Sequence, residues 1–223
     1  TMRLGVSTVT DDAEGDVTST TDASGIDDAA ILAAMTRQTG EIQQVPTAVS
    51  AIKINGQRAY AKVRAGEDVV LQPRAVTVSR FEATETRRHD EVIDVDVEVT
   101  CSSGTYVRAL ARDVGADLGV GGHLTALRRT RIGPFDLTAA CPDIFADDAG
   151  APAPMTMAEA ARLSFPVVEV TDDQEAAIRV GRRVDMIVPA DVTAMIAGTG
   201  EMLALYRPDD ERRGQSRAIC VLV

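Results

Sequence analysis

The sequence predicts an α+β fold with a mixed, mainly antiparallel sheet, helices packed on that sheet, and a small β-rich C-terminal domain. Residues 92–99 (VIDVDVEV) alternate apolar and acidic side chains, as half-buried strands do. After a short polar turn at 101–106, the apolar residues of 107–118 repeat at helical spacing. Residues 141–154 are rich in Ala, Asp and Pro, which is typical of a linker.

The first 40 residues predict a strand, a turn and a helix. Residues 2–10 alternate loosely as a strand, and the turn DDAEGD follows, in which Gly15 takes a left-handed conformation most easily. The run GIDDAAILAAMTRQTG (25–40) predicts a helix that begins at the acidic pair 27–28 and is closed by Gly40.

Hairpins and strands are predicted over the next 60 residues. Asn55-Gly56 is a strong signal for a two-residue hairpin between short strands, and a short helix is predicted at 59–66. The run 67–86 predicts short strands around Pro73, and 92–99 completes an antiparallel set with them.

The remainder divides into a glycine-rich stretch and a small domain. Residues 119–135 predict a glycine turn, one or two helical turns through Leu124 and Leu127, and an exit at Gly133-Pro134. Beyond the linker, the pattern predicts helices at 155–165 and 172–181 and short strands at 186–190, 202–206 and 218–223. We therefore expect one domain over 1–150 and a second over 151–223.

The chain is acidic, with a formal net charge of −11 over 223 residues. This charge argues against a protein that coats nucleic acid by bulk electrostatics. Between residues 101 and 135, however, five arginines stand against two aspartates, so this window carries +3 and the rest of the chain −14. A basic segment in an acidic chain is a candidate phosphate-binding face.

Metal, redox and membrane functions have little support in the sequence. Cys101, Cys141 and Cys220 form no C-x-x-C pair, which indicates reduced core thiols in a cytosolic protein. His89-Asp90 lies in the charged run RRHDE and predicts a solvated loop rather than a metal motif. No run approaches the ~20 apolar residues of a membrane span, and the N-terminus shows no signal pattern. We expect a cytoplasmic protein without metal, cofactor or membrane contact.

Tyr106 and Arg108 open the helix that follows the turn 101–106. We expect Ser103 or Thr105 to cap its free N–H groups, at a helix end that carries about half a positive charge. Such an end can hold a phosphate or a carboxylate, which Arg binds bidentately. The alternative is the first turn of an ordinary amphipathic helix with Arg108 facing solvent.

Other polar residues also allow two interpretations. Arg128, Arg129 and Arg131 are either a solvated face or a phosphate patch, and the excess of acid elsewhere favours the patch. Lys53 either binds a phosphate or extends along an apolar surface. His123 follows two glycines, and without a G-x-S-x-G elbow or a Ser/His/Asp order we expect it in a turn or in contact with RNA.

Four ordered blocks between residues 3 and 135 match a known pattern. They are RLGVSTVTDDAEG (3–15), GEIQQVPTAVSAIKINGQRAY (40–60), CSSGTYVRALARDVG (101–115) and GGHLTALRRTRIGPF (121–135). The first resembles L-G-x-x-T-x-T-x-D-x-x-G and the second Q-x-P-x-x-x-S-A-x-K-x-x-G-x-x-x-Y. Together they resemble the bacterial TruB-type tRNA pseudouridine-55 synthases. The segment after 154 resembles the small C-terminal RNA-binding (PUA-like) domain of that family more weakly, mainly by position.

The resemblance implies a monomeric isomerase with a pseudouridine synthase-like fold and no metal or cofactor. It would detach uracil from its ribose in the T-loop of tRNA, turn the base and rejoin it through carbon, after flipping the nucleotide out of its stack. By motif match, Tyr106 lies near the base and serves in proton abstraction, Arg108 pairs with the nucleophilic carboxylate, and Leu127 lines the base pocket. Arg128 and Arg129 would contact the RNA backbone, which gives affinity rather than sequence readout.

One departure from the family pattern is large. The family nucleophile is an Asp in a G-T-L-D-P-x-A-T-G block upstream of RLG, and residues 1–223 contain neither that block nor the base-stacking Tyr of the family. Asp12 matches a different Asp. We therefore expect a chain that lacks the N-terminal portion of the catalytic domain and is inactive as it stands, because covalent catalysis needs a positioned carboxylate. The alternative is a non-catalytic tRNA-binding or RNA chaperone protein.

Overall fold

A computed structural model describes residues 1–47, 53–54, 57–58, 72–138, 140 and 153–222. The chain divides into two compact units, Thr1–Arg128 and Arg129–Val223. The predicted boundary at 150 lies outside the described residues and stays a prediction. No described helix is long and apolar enough to cross a lipid bilayer.

Nine strands and two helices of the first unit are described. The strands are β1 (Met2–Leu4), β2 (Val6–Thr8), β3 (Val17–Thr20), β4 (Gly40–Gln44), β5 (Lys53–Ile54), β6 (Gln57–Arg58), β7 (Arg74–His89), β8 (Val92–Cys101) and β9 (Gly122–Leu124). The helices are α1 (Asp28–Arg37) and α2 (Val107–Asp117). Five strands form one antiparallel sheet in the order β4-β7-β8-β1-β9, whereas β2 pairs with β3 and β5 with β6. The fold is the α+β class that the sequence predicts.

The centre of the sheet is one long hairpin. Strand β7 runs without a break for 16 residues and pairs with β8 from Val78↔Cys101 to His89↔Val92. The prediction of short strands around Pro73 is therefore wrong for the described residues 74–86, which form part of one long strand. Pro73 lies just before this strand, where its missing N–H removes no hydrogen bond between strands. His89 also belongs to the strand, and Asp90, at φ +42°, makes the turn in place of the predicted loop.

Both helices pack on this sheet. Helix α1 begins at the predicted acidic pair, and Asp27 caps it, because its Oδ1 accepts a hydrogen bond from the Ala30 N–H at 2.7 Å. Gly40 takes φ +97° and begins β4 after the helix. The core between helices and sheet consists of Met2, Leu4, Ala23, Ile31, Ala34, Met35, Val78, Phe81, Ile93, Val95, Leu110, Ala111, Val114, Val120 and Leu124.

The glycine-rich stretch after α2 forms a strand and not the predicted helical turns. Gly119 and Gly121 take φ of +75° and +76°, which confirms the predicted glycine turn before the strand. Gly122 and Leu124 then pair with β1 at the edge of the sheet. Pairing with β1 buries Leu124 in the core, so tertiary contacts override the local helical spacing.

The second unit holds β10 (Arg131–Ile132), β11 (Phe135–Asp136), α3 (Met157–Ser164), β12 (Val167–Glu169), α4 (Asp172–Arg179), β13 (Thr193–Ile196), β14 (Met202–Pro208) and β15 (Ser216–Val221). Strands β10 and β11 form a hairpin around Gly133-Pro134, and the other four form a sheet in the order β12-β13-β14-β15. The two predicted helices and the last two predicted strands are confirmed.

The strand predicted at 186–190 is wrong, and two short strands, β12 and β13, had no sequence signal. The Ser216 side chain explains the first error. Its Oγ accepts from the Val188 N–H at 3.1 Å and donates to the Met186 carbonyl at 2.7 Å. A side chain thus takes the hydrogen bonds that a strand ladder would take.

Several predictions fall on residues that are not described. These are the helix at 59–66, the family-motif residues Ser50, Ala51, Gly56 and Tyr60, and Cys141. The hairpin signal at Asn55-Gly56 is confirmed by its flanks, because Lys53 pairs with Arg58 and Ile54 with Gln57. Cys101 and Cys220 are free thiols, half-buried rather than fully in the core.

Candidate active site at the start of helix α2

Helix α2 is capped by a side chain from a distant strand. Tyr106 is the N-cap residue, and neither Ser103 nor Thr105 caps the helix, so that prediction is wrong. Instead, Gln44 at the end of β4 accepts from the Tyr106 N–H at 2.8 Å and donates to the Tyr106 carbonyl at 3.1 Å. The backbone of Tyr106 is therefore fixed on both sides by one buried amide.

Arg108 is not a solvent-facing residue of an amphipathic helix. Its Nη1 donates to Asp12 Oδ2 at 2.5 Å and to the Thr10 carbonyl at 3.2 Å. Only 31% of its side chain is exposed. The carboxylate that Arg108 contacts here is Asp12, and the expected pairing of Arg108 with the family's nucleophilic carboxylate stays a prediction.

Asp12 is held as an ionised carboxylate. Its Oδ1 accepts from Thr10 Oγ1 at 2.5 Å and from the Glu14 N–H at 3.1 Å. Partial burial alone would raise its pKa, but the hydrogen bonds from Thr10 and Arg108 outweigh that effect and lower the pKa below its ordinary value. At neutral pH the Asp12–Arg108 contact is therefore an ion pair.

A second acid, Asp11, is buried beside the first. Its Oδ2 accepts from Thr47 Oγ1 at 2.9 Å and from Arg112 Nη1 at 3.3 Å. Burial raises its pKa, although Arg112 and Thr47 oppose the shift. Arg108 and Arg112 are one helical turn apart, so each presents its guanidinium to one of two successive aspartates.

The turn that carries the two aspartates differs from the one predicted. Asp11, not Gly15, takes the left-handed conformation, with φ +59°. Gly15 is required for a different reason, because a Cβ at this position would lie 2.3 Å from Thr10 Oγ1. Thr10 in turn donates to Asp12, so Gly15 leaves room for the side chain that holds the Asp12 carboxylate.

His123 lies in β9 and not in a turn. It is only 5% exposed, and its Nδ1 is 2.9 Å from the Val6 carbonyl oxygen. A hydrogen bond there requires Nδ1 to carry the proton. This burial leaves little of the ring accessible to RNA.

The other predicted residues lie at the surface. Leu127 is 61% exposed and follows β9 in an irregular segment, and Arg128 beside it is exposed as well. Arg129 and Arg131 are exposed residues of the second unit. Lys53 lies in β5, where only the backbone is described.

Sequence reasoning missed three residues of this site: Gln44, Asp11 and Thr47. Gln44 belongs to a matched family block, which was the only available signal. Asp11 is adjacent to the matched Asp12, and no pattern distinguished it. Among the described residues, no group of three His, Cys, Asp or Glu side chains could hold a metal ion.

Comparison with known proteins decides the family. Residues 1–107 match the TruB family pseudouridylate synthase N-terminal domain, and residues 108–143 match the tRNA pseudouridylate synthase B C-terminal domain. The chain is 83% identical over all 223 residues to a tRNA pseudouridine synthase B of Cutibacterium acnes, of which it covers 76%. The chain belongs to the TruB family of pseudouridine synthases.

Further comparisons agree with this TruB membership. A tRNA pseudouridine synthase B of Rhodococcus jostii is 49% identical over 225 residues, and the chain covers 72% of it. Among solved structures, a chain of a Cbf5–Nop10–Gar1 complex aligns with a TM-score of 0.55 at 22% identity. The alignment covers 100% of this chain but 64% of the solved one, which is less than two thirds, and it shows the shared fold alone.

Proposed function

We propose that this TruB-family chain carries the Tyr106–Arg108 part of the active site of a tRNA pseudouridine-55 synthase, an isomerase that converts a T-loop uridine of tRNA to pseudouridine. The observation that carries the proposal is the ion-paired Arg108 two residues after Tyr106 at the start of α2. The 83% identical relative is named tRNA pseudouridine synthase B. The basic window at 101–135 supports an RNA substrate, because phosphate neutralisation supplies affinity even in an acidic chain.

Tyr106 and Arg108 have distinct proposed roles. The Tyr106 ring provides a stacking face for the flipped uracil and serves in proton abstraction. Arg108 uses Nη1 for Asp12 and Thr10, and within the described part of the chain its Nε and Nη2 have no hydrogen-bond partner. That free edge of the guanidinium suits a second carboxylate, which it would keep ionised for attack on the nucleotide.

Neither Asp11 nor Asp12 suits the role of nucleophile. Asp12 accepts hydrogen bonds from three donors, which belong to Thr10, Glu14 and Arg108. These bonds occupy the oxygen lone pairs that a nucleophile would need. Asp11 is buried and occupied by Thr47 and Arg112. We propose that Asp12 orients Arg108 and that the attacking carboxylate belongs to the G-T-L-D-P-x-A-T-G block, which is not within residues 1–223.

The exposed residues supply the proposed contacts to RNA. Leu127 is exposed and so can line the base pocket, and Arg128 beside it is placed to contact the RNA backbone. Arg129, Arg131 and Lys53 are proposed as further phosphate contacts. Such contacts give affinity that falls as salt rises, without reading sequence.

The test is tritium release from a T-arm RNA that contains 5-tritiated uridine. It compares the 223-residue chain with an extended chain, in which the residues that flank the matching segment in the Cutibacterium acnes relative are added. We expect the extended chain to release tritium and the 223-residue chain to release none. Release by the 223-residue chain would contradict the assignment of the nucleophile. Binding of the T-arm without release by the extended chain would indicate a tRNA-binding protein without catalysis.

A further inference from the structure

Gln44 is a buried polar side chain that the proposed roles do not use. It is 1% exposed, and both ends of its amide bond to the backbone of Tyr106, at 2.8 and 3.1 Å. The N-cap N–H of a helix has no partner within the helix, and among the described residues the Tyr106 N–H donates only to Gln44. The Gln44 oxygen therefore satisfies a donor that would otherwise be left unpaired.

The position of Gln44 is set by the sheet. It is the last residue of β4 and pairs with Arg74 of β7. A side chain anchored in a sheet is a rigid reference point, whereas Ser103 or Thr105 in the loop before α2 would move with that loop. The start of α2 is thus held in place by the sheet and not only by the turn that precedes it.

The residues after Gln44 strengthen this hold. The Val45 carbonyl accepts from Arg112 Nη2 at 2.7 Å, and the Thr47 hydroxyl donates to Asp11. The segment 44–47 therefore contacts the helix start, the next helical turn and the aspartate loop. Of these contacts, only that of Gln44 acts directly on Tyr106.

We propose that Gln44 is a positioning residue that fixes the backbone of Tyr106, and with it the direction of the Tyr106 ring toward the target base. The inference rests on the proposed function, since it concerns the placement of a group in that reaction. A misplacement of about 1 Å in a reacting group can cost on the order of 100-fold in rate. Two hydrogen bonds to one residue, one on each side of its Cα, are a direct means to prevent such a misplacement.

The test compares Gln44→Met with Gln43→Met. Gln43 is the neighbouring glutamine of the same strand, and it is exposed, so the control makes the same chemical change without touching Tyr106. In the 223-residue chain, amide hydrogen exchange measured by NMR should accelerate about tenfold at the Tyr106 N–H in Gln44→Met and remain unchanged in Gln43→Met. Unchanged Tyr106 exchange in a folded Gln44→Met chain would overturn the inference.

The kinetic arm uses the extended chain and T-arm tritium release. We expect Gln44→Met to lower kcat about tenfold or more with KM within about twofold of Gln43→Met, because RNA binding uses other residues. Gln44→Asn keeps a polar amide but is one methylene shorter and cannot span both backbone groups of Tyr106, so it gives the same kcat comparison if Gln44→Met does not fold. A kcat equal to that of the control would overturn the inference. An inactive unsubstituted extended chain would instead refute the proposed function, and the exchange experiment would still decide whether Gln44 holds Tyr106.

Discussion

Gly115, in the last turn of α2, allows a test of tertiary packing against helix propensity, because the two predict changes of opposite sign in the free energy of unfolding. Replacing a helical glycine with alanine stabilises an isolated helix by about 1 kcal/mol. Here, however, a Cβ on Gly115 would lie 2.2 Å from the Gly121 carbonyl carbon and 2.3 Å from the Gly122 nitrogen. Both atoms are backbone, so no side-chain rotation can relieve the clash. We predict that Gly115→Ala destabilises the first unit.

The magnitude follows from the distance that the backbone would have to move. Ordinary contact begins near 3.4 Å, so the strand after α2 must shift by more than 1 Å. Overpacking of a tight interior costs about 1–3 kcal/mol, and a backbone shift of this size belongs at the upper end of that range. After subtracting the propensity gain, we expect a net loss of about 2 kcal/mol in the free energy of unfolding.

Urea unfolding followed by circular dichroism measures this loss. With a urea dependence of about 2 kcal/mol per molar, the midpoint should fall by about 1 M. Gly25→Ala is the matched control, because a Cβ there meets no atom within 4 Å, and it should change the free energy of unfolding by less than about 0.5 kcal/mol. A Gly115→Ala chain as stable as the unsubstituted one would refute the close contact of α2 with β9.

Two further predictions concern ion pairs. Asp94 accepts two hydrogen bonds from Arg3 at 2.7 Å, which lowers the pKa of Asp94, so Asp94→Asn should reduce the free energy of unfolding by about 1 kcal/mol at neutral pH. This loss should fade as the pH falls below 3.8, the ordinary pKa of Asp, because protonation then removes the ion pair from the unsubstituted chain too. A loss that persists in acid would exclude the ion pair as its cause. Arg108→Ala in the extended chain should lower tritium release by more than about tenfold, because the pairing of Arg108 with the attacking carboxylate is lost. The control Arg37→Ala, at an exposed surface arginine, should leave tritium release unchanged. Survival of activity within tenfold in Arg108→Ala would exclude this role for Arg108.

Local signals predicted elements whose determinants lie close in sequence. Helix α1 follows from its Asp27 cap, and α2 from its apolar spacing. The cap of α2 could not be predicted, because Gln44 lies 62 residues before Tyr106. The residues after the glycine turn have helical spacing but form a strand, because periodicity carries no information on the pairing of β9 with β1.

In the candidate site, too, the sequence predicts the residues with local signals and misses those that depend on contacts with distant residues. Tyr106 and Arg108 follow from the strand, turn and helix pattern together with the family blocks. Asp11 and Thr47 do not, because their roles depend on a left-handed turn and on a contact across 36 residues. Electrostatic partners brought together by topology leave no periodic trace in the sequence.

The position at which pseudouridine forms tests the central claim most directly. An unmodified full-length tRNA transcript is incubated with the extended chain, and its pseudouridines are mapped by carbodiimide labelling and primer extension. The account predicts one new pseudouridine, at position 55 of the T-loop, and its loss in Arg108→Ala. Modification at another position, or equal modification by the Arg108→Ala chain, would contradict it.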